Sequence, residues 1–436
     1  MKTNSEHTEN TIRALIRRRA SGEHCGIYAA CTANAQVIQA VMEAGIDHGI
    51  PVLIEATANQ CNQYGGYSGM LPSDFARYIA ALAEKTGFDP SRVILGGDHL
   101  GPLVWKSEPA EQAMGKAEEL VRLFVEAGFG KIHLDTSMKL ADDDPSLPLS
   151  DDVIAERAAR LAAVCEYAAK KAGREIEYVV GSEVPVPGGA QASEADPFAV
   201  TAPEDFEKTW AAFKKAFGEK SLDDALARVV GVVVQPGVEF GDDTVHPYDR
   251  AAAAALMGTL AKTTYDSLIF EGHSTDYQPR AKLRELVEDG VAILKVGPAL
   301  TFYFREAVFA LAQIEGELSL PAPSRFREVL DECMAARPDD WDKYYTGTEE
   351  ERRLKRKYSF SDRSRYYFTD KKVRAALETL FSNIDAADVP ASLLSQYLPS
   401  TYDRLRNSGV GPPFKAAGLA RARVRDCIDD YLYAVL

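Results

Sequence analysis

The stretch RVILGGDHLGPLVWKSEPAEQAMGKAEELVRLFVEAGFGKIHLDTS, residues 92–137, carries the pattern on which the fold turns. It opens on an apolar run that stops at Asp98 and His99. It continues through a segment whose apolar residues recur at helical spacing up to Gly128, then resumes with a second apolar run at 131–137. A short run of β-branched and aliphatic residues suits a strand buried on both faces. A helical pattern closed by glycine suits a helix whose next residue turns left-handed. Strand, helix and strand in this order predict a βαβ unit with parallel strands.

Working outward, the same theme fills residues 24–316. Further strands are expected at 24–33 (HCGIYAACTA), 51–57 (PVLIEAT), 175–184 (EIEYVVGSEV), 228–237 (RVVGVVVQPG), 267–273 (SLIFEGH) and 291–300 (VAILKVGPAL). Eight strand–helix units predict a closed (β/α)8 TIM barrel. An open doubly wound sheet is the alternative, and it leads one to expect a GxGxxG turn after the first strand, which the sequence lacks. Residues 1–23 read as an N-terminal helical extension. Residues 317–436 read as a mainly helical C-terminal appendage with Tyr/Arg-rich loops such as RSRYYF. The basic run at 352–357 reads as a solvated helix face, with an anion-recognition patch over the barrel mouth or a partner surface as the alternative.

The chain has 436 residues, 50 Lys and Arg against 65 Asp and Glu, and a formal net charge of −15. That balance argues against a nucleic-acid partner, whose phosphates need clustered cations. A small phosphorylated sugar needs only a few local donors. Six cysteines without a CxxC pair fit reduced thiols and a cytoplasmic location. No signal-peptide core and no run of 18 apolar residues is present, so no membrane partner is expected.

Reactive side chains of such barrels sit at the C-terminal ends of the strands. There the sequence offers Glu55; Asp98 and His99; His133, Asp135 and Ser137; Ser182 and Glu183; Gln235 and Glu239; Glu271, His273, Ser274 and Thr275; and Lys295. So many polar groups closing buried strands point to a site, because each is costly to desolvate unless paired or metal-bound. His99 and His273 suit a divalent metal, with Glu183 as a third ligand or a general base. Asp98 suits proton transfer or a helix cap. A strand would turn its side chain away from that of His99 unless the chain bends there. Asn59, Gln60 and Gln63, with Gly65–Gly66, form a polar loop suited to hydroxyls or phosphate. Glu55, His133, Asp135, Gln235, Ser274 and Thr275 are further candidates for substrate contact. Structural hydrogen bonding is the plain alternative for His133 and Gln235.

IEATANQCNQYGGYSGM, LGGDHLGP, KIHLDTSM, GSEVPVPGG, VVQPGVEF, GHSTDYQ and ILKVGPALTFYFREAVFALAQIE resemble the tagatose-bisphosphate aldolase non-catalytic-type subunit family, from about residue 11 to the C-terminus. A more distant resemblance runs to class II fructose-bisphosphate aldolases. It implies Asp98 as proton-transfer acid, His99 and His273 as ligands of zinc (or manganese or magnesium), and Ser274 and Thr275 near a phosphate. The pattern departs at Gln235, where those aldolases have a further zinc histidine. It departs again near Val179, which makes Glu183 a substitute ligand, and at Gly297–Leu300.

The resemblance implies one of two functions in galactitol and tagatose catabolism. The preferred expectation is a metal-dependent epimerase that inverts C4 of D-tagatose 6-phosphate to give D-fructose 6-phosphate by retro-aldol and aldol steps. Asp98 and Glu183 would then be its catalytic groups. The alternative is an accessory subunit beside a separate catalytic aldolase subunit. A ketose phosphate is the expected ligand in both cases, and a homo-oligomer the expected assembly.

Overall fold

The computed structural model describes residues 11–181, 199–262, 268–318, 320–409 and 411–436. Its strands, in chain order, are β1 (Ile27–Cys31), β2 (Val52–Thr57), β3 (Val93–Leu100), β4 (Lys131–Leu134), β5 (Glu177–Val180), β6 (Val229–Val234), β7 (Glu239–Phe240), β8 (Val245–His246), β9 (Ile269–Gly272) and β10 (Val291–Val296). Eight of them close a parallel barrel in the order β1-β10-β9-β6-β5-β4-β3-β2. Closure is explicit in the register, since Ala29 of β1 lies beside Leu53 on one flank and Lys295 on the other. The short β7–β8 pair is an antiparallel hairpin after β6 and stands outside the barrel. The chain is therefore a (β/α)8 TIM barrel with further C-terminal helices.

Local sequence explains the helices. Asn34 accepts hydrogen bonds from the backbone N–H groups of Gln36 and Val37 and so starts the helix Ala35–His48. Gly49, Gly87, Gly128 and Gly173 each close a helix in the left-handed conformation.

Alternation along the strands builds the barrel interior in layers. The lowest layer is apolar: Ile27, Leu53, Val179, Ile269 and Ile293 pack with Ile12, Leu15 and Ile16 of the N-terminal helix Thr11–Ala20. That helix seals the bottom of the barrel. Two residues further along the same strand faces the layer becomes ionic, with Glu55, Glu271 and Lys295. The next step up holds Asp98, His133 and His273.

The C-terminal helices belong to the same core. The last helix, Ala416–Val435, packs on Ala35–His48, Arg280–Asp289 and Pro298–Glu317. Its Tyr431 hydroxyl donates to the Thr275 carbonyl at 2.8 Å, and the Val435 carbonyl accepts from Gly26 N–H at 3.0 Å. No helix among the described residues is long and apolar enough to cross a membrane.

Candidate functional site at the barrel mouth

Asp98 and His99 are neighbours in sequence, yet both line one cavity of about 100 Å³ at the C-terminal end of the barrel. The backbone explains this. His99 adopts φ 47° and the β3–β4 register shifts between Gly97 and Leu100, so the strand bends at His99 and both side chains turn to the mouth. Ser274, after β9, sits at φ 50° and reaches the same cavity. A left-handed residue other than glycine costs on the order of 1 kcal/mol, and such strain concentrates at functional sites. Glycine admits the close packing around this bend. A Cβ on Gly96 would stand 2.5 Å from a Glu55 carboxylate oxygen, and one on Gly101 1.7 Å from the Asp135 carbonyl oxygen.

Beneath the cavity lies a buried ionic network. Lys131 Nζ is 2.6 Å from Glu55 Oε1 and 2.6 Å from Glu271 Oε2, with all three side chains fully buried. Lys295 Nζ pairs with the other oxygen of Glu55 and lies 2.6 Å from Asp98 Oδ1. Burial alone would lower both ammonium groups. Glu271 and Glu55 reverse that for Lys131, and Asp98, Cys31, Glu55 and Glu271 hold Lys295 well above the usual lysine range. Burial likewise pushes Asp98 up, but the charges of His99 and Lys295 hold it well below the ordinary carboxylate range. Glu271 follows the same logic: burial is outweighed by Lys131, Lys295 and His273.

Three imidazoles crown this network, with ring centroids 4.7 to 5.3 Å apart. His133 Nε2 meets the Gly181 carbonyl at 2.9 Å and must be the protonated nitrogen there; its Nδ1 faces the His99 backbone N–H at 3.2 Å and Asp98 Oδ1 at 3.2 Å. Both nitrogens of His133 are thus engaged within the protein. His273 Nε2 donates to Glu271 Oε1 at 2.8 Å, which leaves Nδ1 for another partner. Burial, partly opposed by Glu271, pushes His273 down to about 3 and keeps it neutral. Among the described residues neither ring nitrogen of buried His99 finds an aligned hydrogen bond, although its Nδ1 lies 3.1 Å from Asp98 Oδ1. Burial lowers His99, and the adjacent Asp98 charge more than offsets this.

An orphaned buried imidazole and a second one oriented by a carboxylate are the features of a metal-ligating pair. Ligand atoms of Asp98, His99, His133 and His273 all lie within 4.8 Å of one another. Bonds of about 2.0–2.2 Å to such atoms suit a divalent ion, so the donor set fits one.

The remaining sequence candidates divide cleanly. Asn59 is on the cavity wall with Asp98, His99, His273 and Ser274. Glu55 and His133 lie beneath it, held by Lys131 and Gly181. Asp135 is not on the wall: its Oδ1 accepts from the Ser137 N–H and hydroxyl. Gln235 Oε1 accepts from the backbone N–H groups of Gly237 and Val238, so the amide braces its own turn. Thr275 donates its hydroxyl to the Lys295 carbonyl at 2.6 Å, and it is Ser274 that reaches the cavity. Glu183 lies outside the described residues.

Sequence reasoning passed over Cys31, Tyr67, Asp276 and Tyr366, all on the wall, and Lys131 beneath it. A lysine opening the buried run KIHL was the available signal for Lys131. Asp276 accepts from the N–H groups of Gly297 and Ala299 at 3.0 and 2.8 Å and caps the helix Pro298–Glu317; burial pushes it up to about 6. Arg365, from the C-terminal region, also lines the cavity, whereas Arg363 lies over the Tyr344 ring and does not.

Comparison with known proteins adds the following. Residues 12–436 match the family model described as D-tagatose-1,6-bisphosphate aldolase subunit GatZ/KbaZ-like. The D-tagatose-1,6-bisphosphate aldolase subunit GatZ of Escherichia coli O1:K1 is 47% identical over 398 residues, 91% of this chain and 93% of that protein. The same-named protein of Escherichia coli strain SMS-3-5 is 46% identical over 398 residues, 91% of this chain and 93% of that protein. A crystal structure described as a probable tagatose 6 phosphate kinase from Sinorhizobium meliloti 1021 superposes with a TM-score of 0.86. It is 45% identical and covers 94% of this chain and 100% of that one. These findings overturn the epimerase expectation: the curated relatives are named as an aldolase subunit, which was the alternative.

Proposed function

Because the chain belongs to the D-tagatose-1,6-bisphosphate aldolase subunit GatZ/KbaZ-like family, we propose that it serves as the accessory subunit of an enzyme that cleaves D-tagatose 1,6-bisphosphate, beside a separate catalytic subunit. The observation that carries this reading is the 47% identity to a protein of that description across nearly the whole length of both chains.

The electrostatics of the mouth agree with a binding and supporting role. A general base needs a lone pair free to face the substrate. Asp98 Oδ1 already has Lys295, His99 and His133 within 3.2 Å, and Oδ2 faces Cys31 Sγ at 3.5 Å. Such a carboxylate is built to hold neighbours more than to take up a proton. In this reading His99 and His273 hold a divalent ion, and Asn59 and Ser274 meet sugar hydroxyls. A bound ion would supply Lewis-acid polarisation of a ketose carbonyl. His133 and Glu271 orient these ligands, while Lys131 and Lys295 neutralise the carboxylates below them.

Reconstitution tests the proposal. The chain and the catalytic aldolase subunit of the same organism are purified separately and together, and triose phosphate release from D-tagatose 1,6-bisphosphate is followed. The mixture should elute as one complex with a cleavage rate or half-life severalfold above the catalytic subunit alone. Separate elution with unchanged rate and half-life would sink the reading.

A further inference from the structure

We propose that Arg365 is the phosphate anchor of the barrel-mouth cavity, a cation that the C-terminal region delivers for one phosphate group of a ketose phosphate. The inference rests on the cavity being a ketose-phosphate site, as argued above, and adds the residue that would read the phosphate.

Among the described residues two full cations stand on the cavity wall, Lys295 and Arg365. Lys295 is spent on Glu55 and Asp98. Arg365 is not. Its guanidinium donates to the carbonyls of Ser361 and Asp362 and to the Tyr366 hydroxyl at 3.0 Å, all uncharged acceptors. A guanidinium has five N–H donors in a planar fork, and phosphate is the anion that best uses that fork together with an uncompensated charge. Arg305 shows the contrast at the same residue: its Nε donates to the Asp362 carboxylate at 2.7 Å and its charge is paired, whereas Arg365 meets only the Asp362 carbonyl.

Arg365 is also held in place before any ligand arrives. It lies in the short helical turn Arg363–Tyr367, which starts from Asp362 at φ 42°. Asp362 is locked by Arg305, by the Thr301 hydroxyl at 2.6 Å and by the Ser364 hydroxyl at 2.8 Å. The guanidinium lies 4.5 Å from the Tyr366 ring, and Tyr366 packs edge-on against Tyr67 of the barrel loop with centroids 4.7 Å apart. Of the described acids near Arg365, Asp276 is spent on the helix it caps, Asp362 on Arg305 and Thr301, and Asp340 faces Arg363 more strongly than Arg365. Fixed donors lose little entropy on binding, which is where their affinity comes from.

The test is calorimetry on the full chain with D-tagatose 1,6-bisphosphate and with unphosphorylated D-tagatose. Arg365→Ala should weaken bisphosphate binding roughly 10- to 100-fold, the size of one charge-assisted contact, and leave D-tagatose binding unchanged. Arg365→Lys should restore part of the loss. In the unmodified chain, inorganic phosphate should compete with the bisphosphate, which supports the proposal even where a variant fails to fold. Unchanged bisphosphate affinity in either variant, an equal loss for both sugars, no competition by phosphate, or no bisphosphate binding by the unmodified chain would each overturn it. If one of these outcomes accompanies normal activation of the catalytic subunit, the anchor falls while the accessory role stands.

Discussion

The two ends of this barrel are made from the same strands and the same inward face, yet they are built on opposite principles. At the bottom, Ile27, Leu53, Val179 and Ile293 meet the N-terminal helix in a dry apolar layer. At the top, the charged and polar side chains of Asp98, His99, His273 and Lys295 line a cavity. Between them lies the Lys131–Glu55–Glu271 cluster, as buried as the apolar layer and fully ionic. Apolar burial stabilises through area and tolerates imperfect geometry. Buried charge is tolerated only while every partner is in place. The comparison teaches that the lower half can stabilise the barrel independently, while the upper half holds its groups in order through mutual pairing.

The sharpest way to break this contrast is Lys131→Met. It leaves Glu271 without its lysine and Glu55 with one instead of two, so stability should fall by about 3–5 kcal/mol, the usual result of removing one partner from a buried ion pair. Urea unfolding measures this, and a loss below 1 kcal/mol would mean the network contributes little.

Glu177 tests the bottom. It is buried among apolar residues near Arg13, whose Nε lies 3.4 Å away, and burial pushes it up to about 7 despite that charge. The folded chain therefore retains a proton that the unfolded chain releases near its ordinary value. This group's contribution to stability is fully present at low pH and declines as pH rises through the folded value near 7. Between pH 5 and pH 8 Glu177→Gln should gain on the parent by on the order of 2 kcal/mol. Parallel thermal unfolding curves at the two pH values would refute the assignment.

The smallest stability effect is expected at the mouth. His99→Ala removes a buried contact of 3.1 Å with Asp98, which keeps Lys295 as its partner, so unfolding free energy should fall by about 1–2 kcal/mol, less than for Lys131→Met. The same variant should lose divalent-ion binding by a hundredfold or more in a zinc titration. Retained ion affinity would remove His99 from the ligand set.

The architecture was legible because its signals are local. Apolar runs of strand length, helical spacing and closing glycines each involve only a few neighbouring residues, and they yield eight strands in the right places. The two histidines with a nitrogen to spare, His99 and His273, were legible for the same reason: each ends an apolar run. Other assignments turn on a side chain's partner, which the sequence does not show. Gln235 and Thr275 look like substrate contacts in sequence, but their own backbone surroundings already occupy them. Function also divided on this line, since shared motifs cannot tell an epimerase from an aldolase subunit and comparison over the whole chain favours the latter.

The sequence by itself determined the alternation of elements, the polar residues at the strand ends and an acidic surface unsuited to nucleic acid, because these follow from periodicity and composition. Only the tertiary structure decided that Lys131 reaches Glu55 across 76 positions and Lys295 reaches it across 240. It also decided that a left-handed bend turns Asp98 and His99 to one side, and that Arg365 arrives at the mouth from the far end of the chain. The physical reason is range: backbone preference acts over a few residues, whereas desolvated charges are settled by whichever partners the closed barrel brings within about 3 Å.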